Sequence, residues 1–243
     1  MNGSDAPAIE ATVTRPSRHG LGARGFRWWI ALSSVTIAVS APLPYLMSSL
    51  ERLSADHNQI ASNYVHRPGW AQVVFYGHVC AGGLAMLVAP LQLSSRARRT
   101  WPLVHRVGGR VGLAAIWLAA VAGLILAPFS IAGTMGLLGF GALAVAWFVC
   151  GTATYVTIRS GDRAGHRRWA IRTFALTYAA VTLRLWLGVL IAFQVMVLDT
   201  GDQVAFDRSY ALVPFLAWVP NLIAAEWYLR RRERANELPY RVA

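Results

Sequence analysis

The chain has 243 residues, of which 56% are hydrophobic and only 14% are charged, and its formal net charge is +12. Soluble domains have about 25% charged residues, so this composition excludes a disordered, collagen-like or disulfide-scaffold protein and argues against a soluble enzyme. All 23 basic residues are arginine, which excludes a phosphate-binding loop that ends in lysine and any Schiff-base lysine. The two cysteines, Cys80 and Cys150, lie in apolar stretches, so the sequence provides neither a disulfide framework nor a cysteine-based metal site.

Six apolar stretches are each long enough to cross a bilayer, which takes about 20 residues. They predict an all-α integral membrane protein, a six-transmembrane-helix bundle over 28–229, between a disordered tail at 1–27 and a basic tail at 230–243. Pro42 and Pro44 are expected to kink or end the first helix. No stretch has an evident break, which argues against a large secondary transporter. The predicted spans are Trp28–Leu50, Ala71–Leu93, Gly109–Phe129, Met135–Ile158, Trp169–Leu198 and Tyr210–Leu229.

The arginines mark one side of the membrane. The segments that carry a net positive charge are 1–27, 94–110, 159–172 and 230–243, and they alternate with neutral or acidic segments at 51–70, 128–134 and 198–209. Because positively charged loops stay in the cytoplasm, both termini are predicted to be cytoplasmic, in a multi-pass protein of the inner (plasma) membrane. The positive charge is then expected to face anionic lipid headgroups and not nucleic acid.

Ionisable side chains inside a membrane are costly and are functional candidates by default. Glu226 in the sixth span lies at a depth similar to Arg172 in the fifth, which predicts a structural ion pair. Arg184 lies near the middle of the fifth span with no carboxylate at its depth. It is therefore expected either to bind an anionic substrate together with Asn221, or to hydrogen bond to Asn221 and backbone carbonyls.

Three histidines lie within spans or at their ends. His78, in the second span, is expected to form a hydrogen bond between helices or to act as a ligand. His105 and His166 each open a helix on the predicted cytoplasmic side, where the helix dipole favours a neutral imidazole that can bind a metal. With the arginines around them they predict a cofactor or anion site, or else an interfacial belt that holds lipid phosphates. Those arginines are Arg106, Arg110, Arg167 and Arg172.

Five short strings together resemble an uncharacterised family of bacterial predicted membrane proteins, domain-of-unknown-function family 2306. The resemblance extends from about residue 70 to residue 230 and departs from the family pattern at Ala170, where the family usually has methionine. It implies a membrane protein and marks these strings as characteristic, but the family has no established reaction. The strings are GHVCAGGLAMLVAPLQ at 77–92, HRVGGR at 105–110, HRRWAIR at 166–172, AVTLRL at 180–185 and WVPNLIAAE at 218–226.

The chain is also distantly similar to the cytochrome b561 type of membrane haem protein, which has six helices and pairs of histidines that bind haem b. This resemblance implies that His105 and His166 are the axial ligands of the iron of one haem b. His78 would correspond to one ligand of a second pair, but the fourth span contains no histidine to complete that pair.

Three functions follow from these features. The first is a b-type haem-binding or redox protein, in which His105 and His166 bind the iron and the neighbouring arginines pair with the haem propionates. The second is a small anion or lipid transporter or binding protein that uses Arg184. The third is a membrane assembly factor, in which the arginines serve only as topology signals and lipid anchors. The sequence leaves open whether the protein is an enzyme, and whether His105 and His166 are close in space.

Overall fold

The computed structural model describes residues 20–237, and the regular structure in this part of the chain is entirely helical. The predicted all-α fold is therefore confirmed. A short 3-10 turn, Ala127–Phe129, lies between the seventh and eighth of the α-helices. These helices are α1 (Gly20–Ser40), α2 (Leu43–Met47), α3 (Leu50–Ala55), α4 (Gln59–Tyr64), α5 (Gly69–Leu93), α6 (Ser95–Thr100), α7 (Pro102–Leu126), α8 (Gly133–Arg159), α9 (Arg163–Thr177), α10 (Ala179–Leu198), α11 (Asp202–Leu216) and α12 (Val219–Glu237).

Six helical segments are long and apolar enough to cross a membrane, in the predicted order. Most of them extend beyond the predicted apolar stretches, because turns with polar and charged residues continue the helices at their ends, whereas the first segment ends at Met47, before the predicted Leu50. The first helix begins at Gly20, so residues 20–27 of the predicted disordered tail are helical, and the last helix continues to Glu237. The rest of the two predicted tails lies outside the described residues. The segments are Arg24–Met47, Gly69–Leu93, Pro102–Phe129, Gly133–Arg159, Arg163–Leu198 and Asp202–Ala235.

Successive spans run in opposite directions, so alternate connections lie at opposite ends of the bundle. The connections that carry most of the arginines all lie at one end, and the two ends therefore differ in charge. One end holds α6, the start of α7, the junction of α8 with α9 and the last turns of α12, and we call it the arginine-rich end. Here Arg168 of α9 lies 3.9 Å from a carboxylate oxygen of Glu233 in α12. The opposite end holds α2, α3, α4 and the connection from α10 to α11.

The helices α5 and α7 pack closely through small residues. Gly112, Ala115 and Ala119 of α7 are buried, and a Cβ atom on Gly112 would lie only 3.3 Å from Val88 of α5. Small residues let helix backbones approach each other in membrane bundles. This contact continues into the main core cluster, where Leu176 of α9 also lies.

The fifth and sixth spans each contain a short interruption, although the sequence shows no evident break in either span. The fifth span is interrupted at Tyr178, between α9 and α10, and the sixth at Ala217 and Trp218, between α11 and α12. Pro214 and Pro220 explain the second interruption, because proline removes a backbone donor and clashes with the preceding turn. The first interruption has no proline.

Threonine hydroxyls and one asparagine join the two interruptions. The single hydrogen of the Thr182 hydroxyl is shared between the backbone carbonyl of Ala217 across the interface, at 2.5 Å, and that of Tyr178 on its own chain segment, at 3.2 Å. Hydroxyl bonds to the carbonyl four residues earlier bend helices, which accounts for the interruption that lacks proline. Asn221 donates to the carbonyls of Ala175 and Ala217 at 3.2 and 3.1 Å and to the Thr182 hydroxyl at 2.9 Å. Asn221 therefore satisfies backbone carbonyls at both interruptions.

The opposite end of the bundle is closed by short helices. The first long helix ends before Pro42, and the chain then continues into α2, α3 and α4. Tyr45 and Tyr64 from these helices pack on the two sides of Phe75, with ring centroids 5.0 and 4.4 Å from that ring. Gln59 of α4 donates to Gln203 at the start of α11 at 2.9 Å. The short helices thus cover the space between α5 and α11.

Candidate ligand-binding cavity

A cavity of about 110 Å³ lies at the arginine-rich end between α5, α7, α8 and α9. Its walls are mostly small or apolar side chains and include Ala85, Gly109 and Phe174. His105 from α7 and His166 from α9 both line it. The structure therefore brings together two histidines that are 61 positions apart in the sequence.

His166 has a defined proton position. Its Nδ1 lies 2.9 Å from the backbone carbonyl oxygen of Thr154. A carbonyl oxygen only accepts, so Nδ1 carries the hydrogen and donates it. In a neutral imidazole the other nitrogen, Nε2, then has a free lone pair. Asp162 caps the start of α9 by accepting from the N–H of Gly165 at 2.7 Å, which fixes the turn that carries His166.

His105 has the opposite proton position because of Gln92. In the amide orientation that gives both polar groups of Gln92 a partner, the Gln92 amide nitrogen donates to the carbonyl oxygen of His105 at 3.1 Å and to Nδ1 of the same residue at 3.2 Å. The Gln92 amide oxygen accepts from the backbone N–H of Gly109 at 3.2 Å. Nδ1 of His105 is therefore an acceptor, and in the neutral ring Nε2 carries the hydrogen. Gly108 and Gly109 allow this contact, since a Cβ atom on either would lie 2.9 or 3.2 Å from the Gln92 amide.

The other polar side chains at the cavity are occupied by protein partners. Thr154 donates to the carbonyl of Cys150 and lies 3.0 Å from the Thr173 hydroxyl. Thr177 donates to the carbonyl of Thr173 at 2.8 Å and accepts from Nε1 of Trp147 at 2.9 Å. The two histidine Nε2 atoms are therefore the groups of the cavity best suited to bind a ligand.

The arginines that the sequence places near these histidines do not enter the cavity. Arg106, Arg110 and Arg167 are exposed, and no arginine is among the residues that line the cavity. Arg172 donates to both carboxylate oxygens of Glu226, with Nη2 at 3.0 Å from Oε2. The Arg172 guanidinium also lies 4.7 Å from the ring centre of Trp169. Arg172 and Glu226 thus form an ion pair at the arginine-rich end.

His78 belongs to a different part of the molecule. Its Nδ1 lies 2.8 Å from the carbonyl oxygen of Ala119 in α7. Its ring packs so closely on Gly123 that a Cβ atom there would lie 3.0 Å from Cε1 of the histidine. At 1.5 Å per residue, His78 is roughly 20 Å along α5 from Gln92, and it does not line the cavity. It joins α5 to α7.

Arg184 and Asn221, the two residues predicted to bind a substrate together, have separate partners. Nη1 of Arg184 donates to the carbonyl oxygen of Ala180, one turn earlier in its own helix, at 2.8 Å. The hydrogen bonds of Asn221 go to Ala175, Ala217 and Thr182. Arg184 is exposed on the bundle surface and does not line the cavity.

The chemistry of the cavity differs from that of an ordinary metal site. Among residues 20–237, no group of three or more histidine, cysteine, aspartate or glutamate side chains is arranged to hold a metal ion. Sequence reasoning overlooked Gln92, although a lone amide near the end of an apolar span was a signal that it has a specific partner. The cavity therefore offers two imidazole rings within apolar walls, and a neighbouring polar group contacts Nδ1 of each ring.

Comparison with known proteins places the chain in a family. It belongs to the predicted membrane proteins of family DUF2306, whose model matches residues 75–229. The matched region includes Gln92, His105 and His166, the whole of the third, fourth and fifth spans, and most of the second and sixth. No curated protein and no solved structure is significantly similar to the chain. The family description states a membrane protein and no reaction.

Proposed function

We propose that this protein is a membrane-embedded ligand-binding or redox protein, whose ligand lies in the cavity at the arginine-rich end between His105 and His166. One observation carries the proposal: histidines from two different spans line one apolar cavity while a protein group occupies Nδ1 of each ring. This arrangement leaves both Nε2 atoms for a ligand. Hydrogen bonds to the second ring nitrogen fix the orientation and proton position of ligand-binding histidines in proteins.

The two rings offer different chemistry to a ligand. Nε2 of His105 donates a hydrogen bond when the Gln92 amide takes the orientation that donates to Nδ1 of the same ring. Nε2 of His166 accepts one, because its Nδ1 donates to Thr154. A compact, largely apolar ligand with one acceptor and one donor group satisfies both rings and the apolar walls. Pockets of this kind bind through apolar contact and take their specificity from a few polar groups.

A b-type haem is the cofactor predicted for this pair of histidines. His166 would be able to hold the iron through Nε2, because its Nδ1 donates to Thr154 and the Nε2 lone pair of the neutral ring is free. His105 would hold the iron through Nε2 only with its proton on Nδ1, which is incompatible with a hydrogen bond from the Gln92 amide nitrogen to Nδ1. Since no arginine lines the cavity, partners for the propionates lie outside it. A bound haem would supply one-electron transfer.

An absorption spectrum tests the haem proposal. The full-length protein, solubilised from haem-replete cells, is expected to show a Soret band, and His166→Ala is expected to remove it because one axial ligand is lost. His66→Ala is the matched control, since His66 is exposed and lies between the first and second spans. A colourless wild-type protein, or a band that His166→Ala leaves unchanged, would exclude haem at this site.

The proposal includes the orientation of the protein in the inner membrane. Both termini and the arginine-rich end are taken to lie in the cytoplasm, because loops with excess arginine are retained there and favour anionic lipid headgroups. A reporter active only in the cytoplasm, fused after Arg98, is expected to be active, and one fused after Thr200 to be inactive. Activity of a periplasm-specific reporter after Arg98 would reverse the orientation.

A further inference from the structure

Arg184 lies in the middle of a span without a counter-charge. Its position is 12 residues beyond Arg172 and 14 before Leu198, which corresponds to roughly 18 and 21 Å along a helix. Among the described residues it makes no ion pair, and its one hydrogen bond goes to a backbone carbonyl of its own helix. A guanidinium has five N–H donors, so most of its capacity is available. Keeping such a charge within a membrane is costly.

Two tyrosines from other parts of the chain interact electrostatically with this arginine, and a third interacts with those two. Tyr45 of α2 and Tyr210 of α11 lie within electrostatic range of Arg184, and Tyr64 of α4 lies within range of both tyrosines. Their rings are held by aromatic contacts, including a stack of Tyr210 on Phe206 with centroids 5.2 Å apart. Within residues 20–237, the hydroxyls of Tyr64 and Tyr210 have no hydrogen-bond partner. The phenol of Tyr45 donates to Asn58 at 3.4 Å, the limit of a hydrogen bond.

The surface beside Arg184 is open and apolar. Arg184 is itself exposed, and its neighbours Leu185 and Val189 are 52% and 49% exposed. One turn further along α10, a Cβ atom on Gly188 would meet nothing within 4 Å. A hydrocarbon chain can therefore lie along α10 beside the guanidinium. The site is separate from the histidine cavity, which Arg184 does not line.

We propose that Arg184, with the hydroxyls of Tyr45 and Tyr210, binds the carboxylate or phosphate head of an anionic amphiphile whose apolar chain lies along α10. The oxyanion supplies the counter-charge that no described residue supplies, and charge-assisted hydrogen bonds from guanidinium to an oxyanion are roughly twice as strong as neutral ones. The phenol O–H groups complete the set of donors. The exposed apolar strip accounts for an amphiphile in preference to a small free anion.

The experiment measures the unfolding temperature of the full-length protein in a zwitterionic detergent as probes are added. Sodium oleate and dodecyl phosphate carry both charge and chain, oleyl alcohol lacks the charge, and sodium acetate lacks the chain. Oleate is expected to raise the unfolding temperature of the wild type with saturation, because a ligand that binds only the folded state stabilises it. Arg184→Gln is expected to weaken the apparent affinity by at least about tenfold, equivalent to about 1.4 kcal/mol.

Controls separate this site from general effects of a fatty acid. Arg208→Gln removes an exposed arginine near the start of α11 and is expected to leave the affinity unchanged. Tyr210→Phe keeps the aromatic stack but removes one hydrogen-bond donor, so it is expected to weaken the affinity for oleate by about threefold. If Arg184→Gln does not fold, this variant provides the test. The proposal is overturned if oleate binds the wild type and Arg184→Gln with equal affinity. It is also overturned if oleyl alcohol or acetate raises the unfolding temperature as much as oleate does, or if neither oleate nor dodecyl phosphate raises it.

Discussion

Glu226→Gln is expected to lower the free energy of unfolding by about 2 kcal/mol, because it leaves the Arg172 guanidinium without its carboxylate. Removing one partner of a fully buried pair costs about 3–5 kcal/mol, and the smaller value reflects partial exposure. The side chains of Arg172 and Glu226 are 21% and 33% exposed. Thermal or denaturant unfolding of the protein in one detergent measures the effect.

Glu233→Gln is the matched control for this substitution. Glu233 lies on the same helix and faces Arg168, but the two charges are 3.9 Å apart and their side chains are 46% and 55% exposed. Exposed pairs contribute about 0–1 kcal/mol, so Glu233→Gln is expected to have little effect. Equal losses in the two variants would mean that the Arg172–Glu226 pair does not hold α9 against α12.

Gly139→Leu is expected to prevent folding, and Gly139→Ala to cost about 2 kcal/mol, the range of overpacking in a close-packed interior. A Cβ atom on Gly139 would lie 2.5 Å from Cβ of Pro214 and 2.8 Å from its carbonyl carbon. That neighbour is backbone and cannot rotate away. Trp218 adds a hydrogen bond from Nε1 to the Gly139 carbonyl at 3.2 Å, so α8 and the interruption between α11 and α12 cannot separate without losing it.

Gly141→Ala is the comparison, because it makes the same chemical change two residues along α8. A Cβ atom there would meet only Ala127 at 3.8 Å, an ordinary contact. Alanine is favoured over glycine within a helix by up to about 1 kcal/mol, so Gly141→Ala is expected to stabilise slightly. Unfolding temperatures that shift in the same direction for both alanine variants would contradict the close approach of α8 to α11.

The spans were predictable because a run of about 20 apolar residues has one favourable arrangement, a helix across the bilayer. The pairing of Arg172 with Glu226 followed from their similar depths, since two opposite charges at one level gain by meeting. The sequence also predicts Asn221 as a partner of Arg184, either at a substrate or through a hydrogen bond. In the structure Asn221 instead donates hydrogen bonds to backbone carbonyls at the interruptions. A carbonyl group that is left free within the bundle also requires a donor.

The interruptions and the proton positions of the cavity depend on contacts that the sequence does not display. Pro214 and Pro220 were a visible signal for one interruption, but the other is associated with threonine hydroxyls, which occur in unbroken helices as well. His105 and His166 were recognisable as a pair from their places at two helix starts. The amide of Gln92 comes from a third helix, and only the packing of α5 on α7 shows which ring nitrogen it contacts.

The intact mass of the full-length protein, released gently from lipid nanodiscs, tests the central claim that His105 and His166 hold a ligand in one cavity. We predict that the wild type carries a small molecule of defined mass, coloured or not, which the His105→Ala/His166→Ala variant lacks while it folds and assembles in the membrane as the wild type does. Identical masses above the bare chain in both proteins, or a wild type with the mass of the chain alone, would contradict the account.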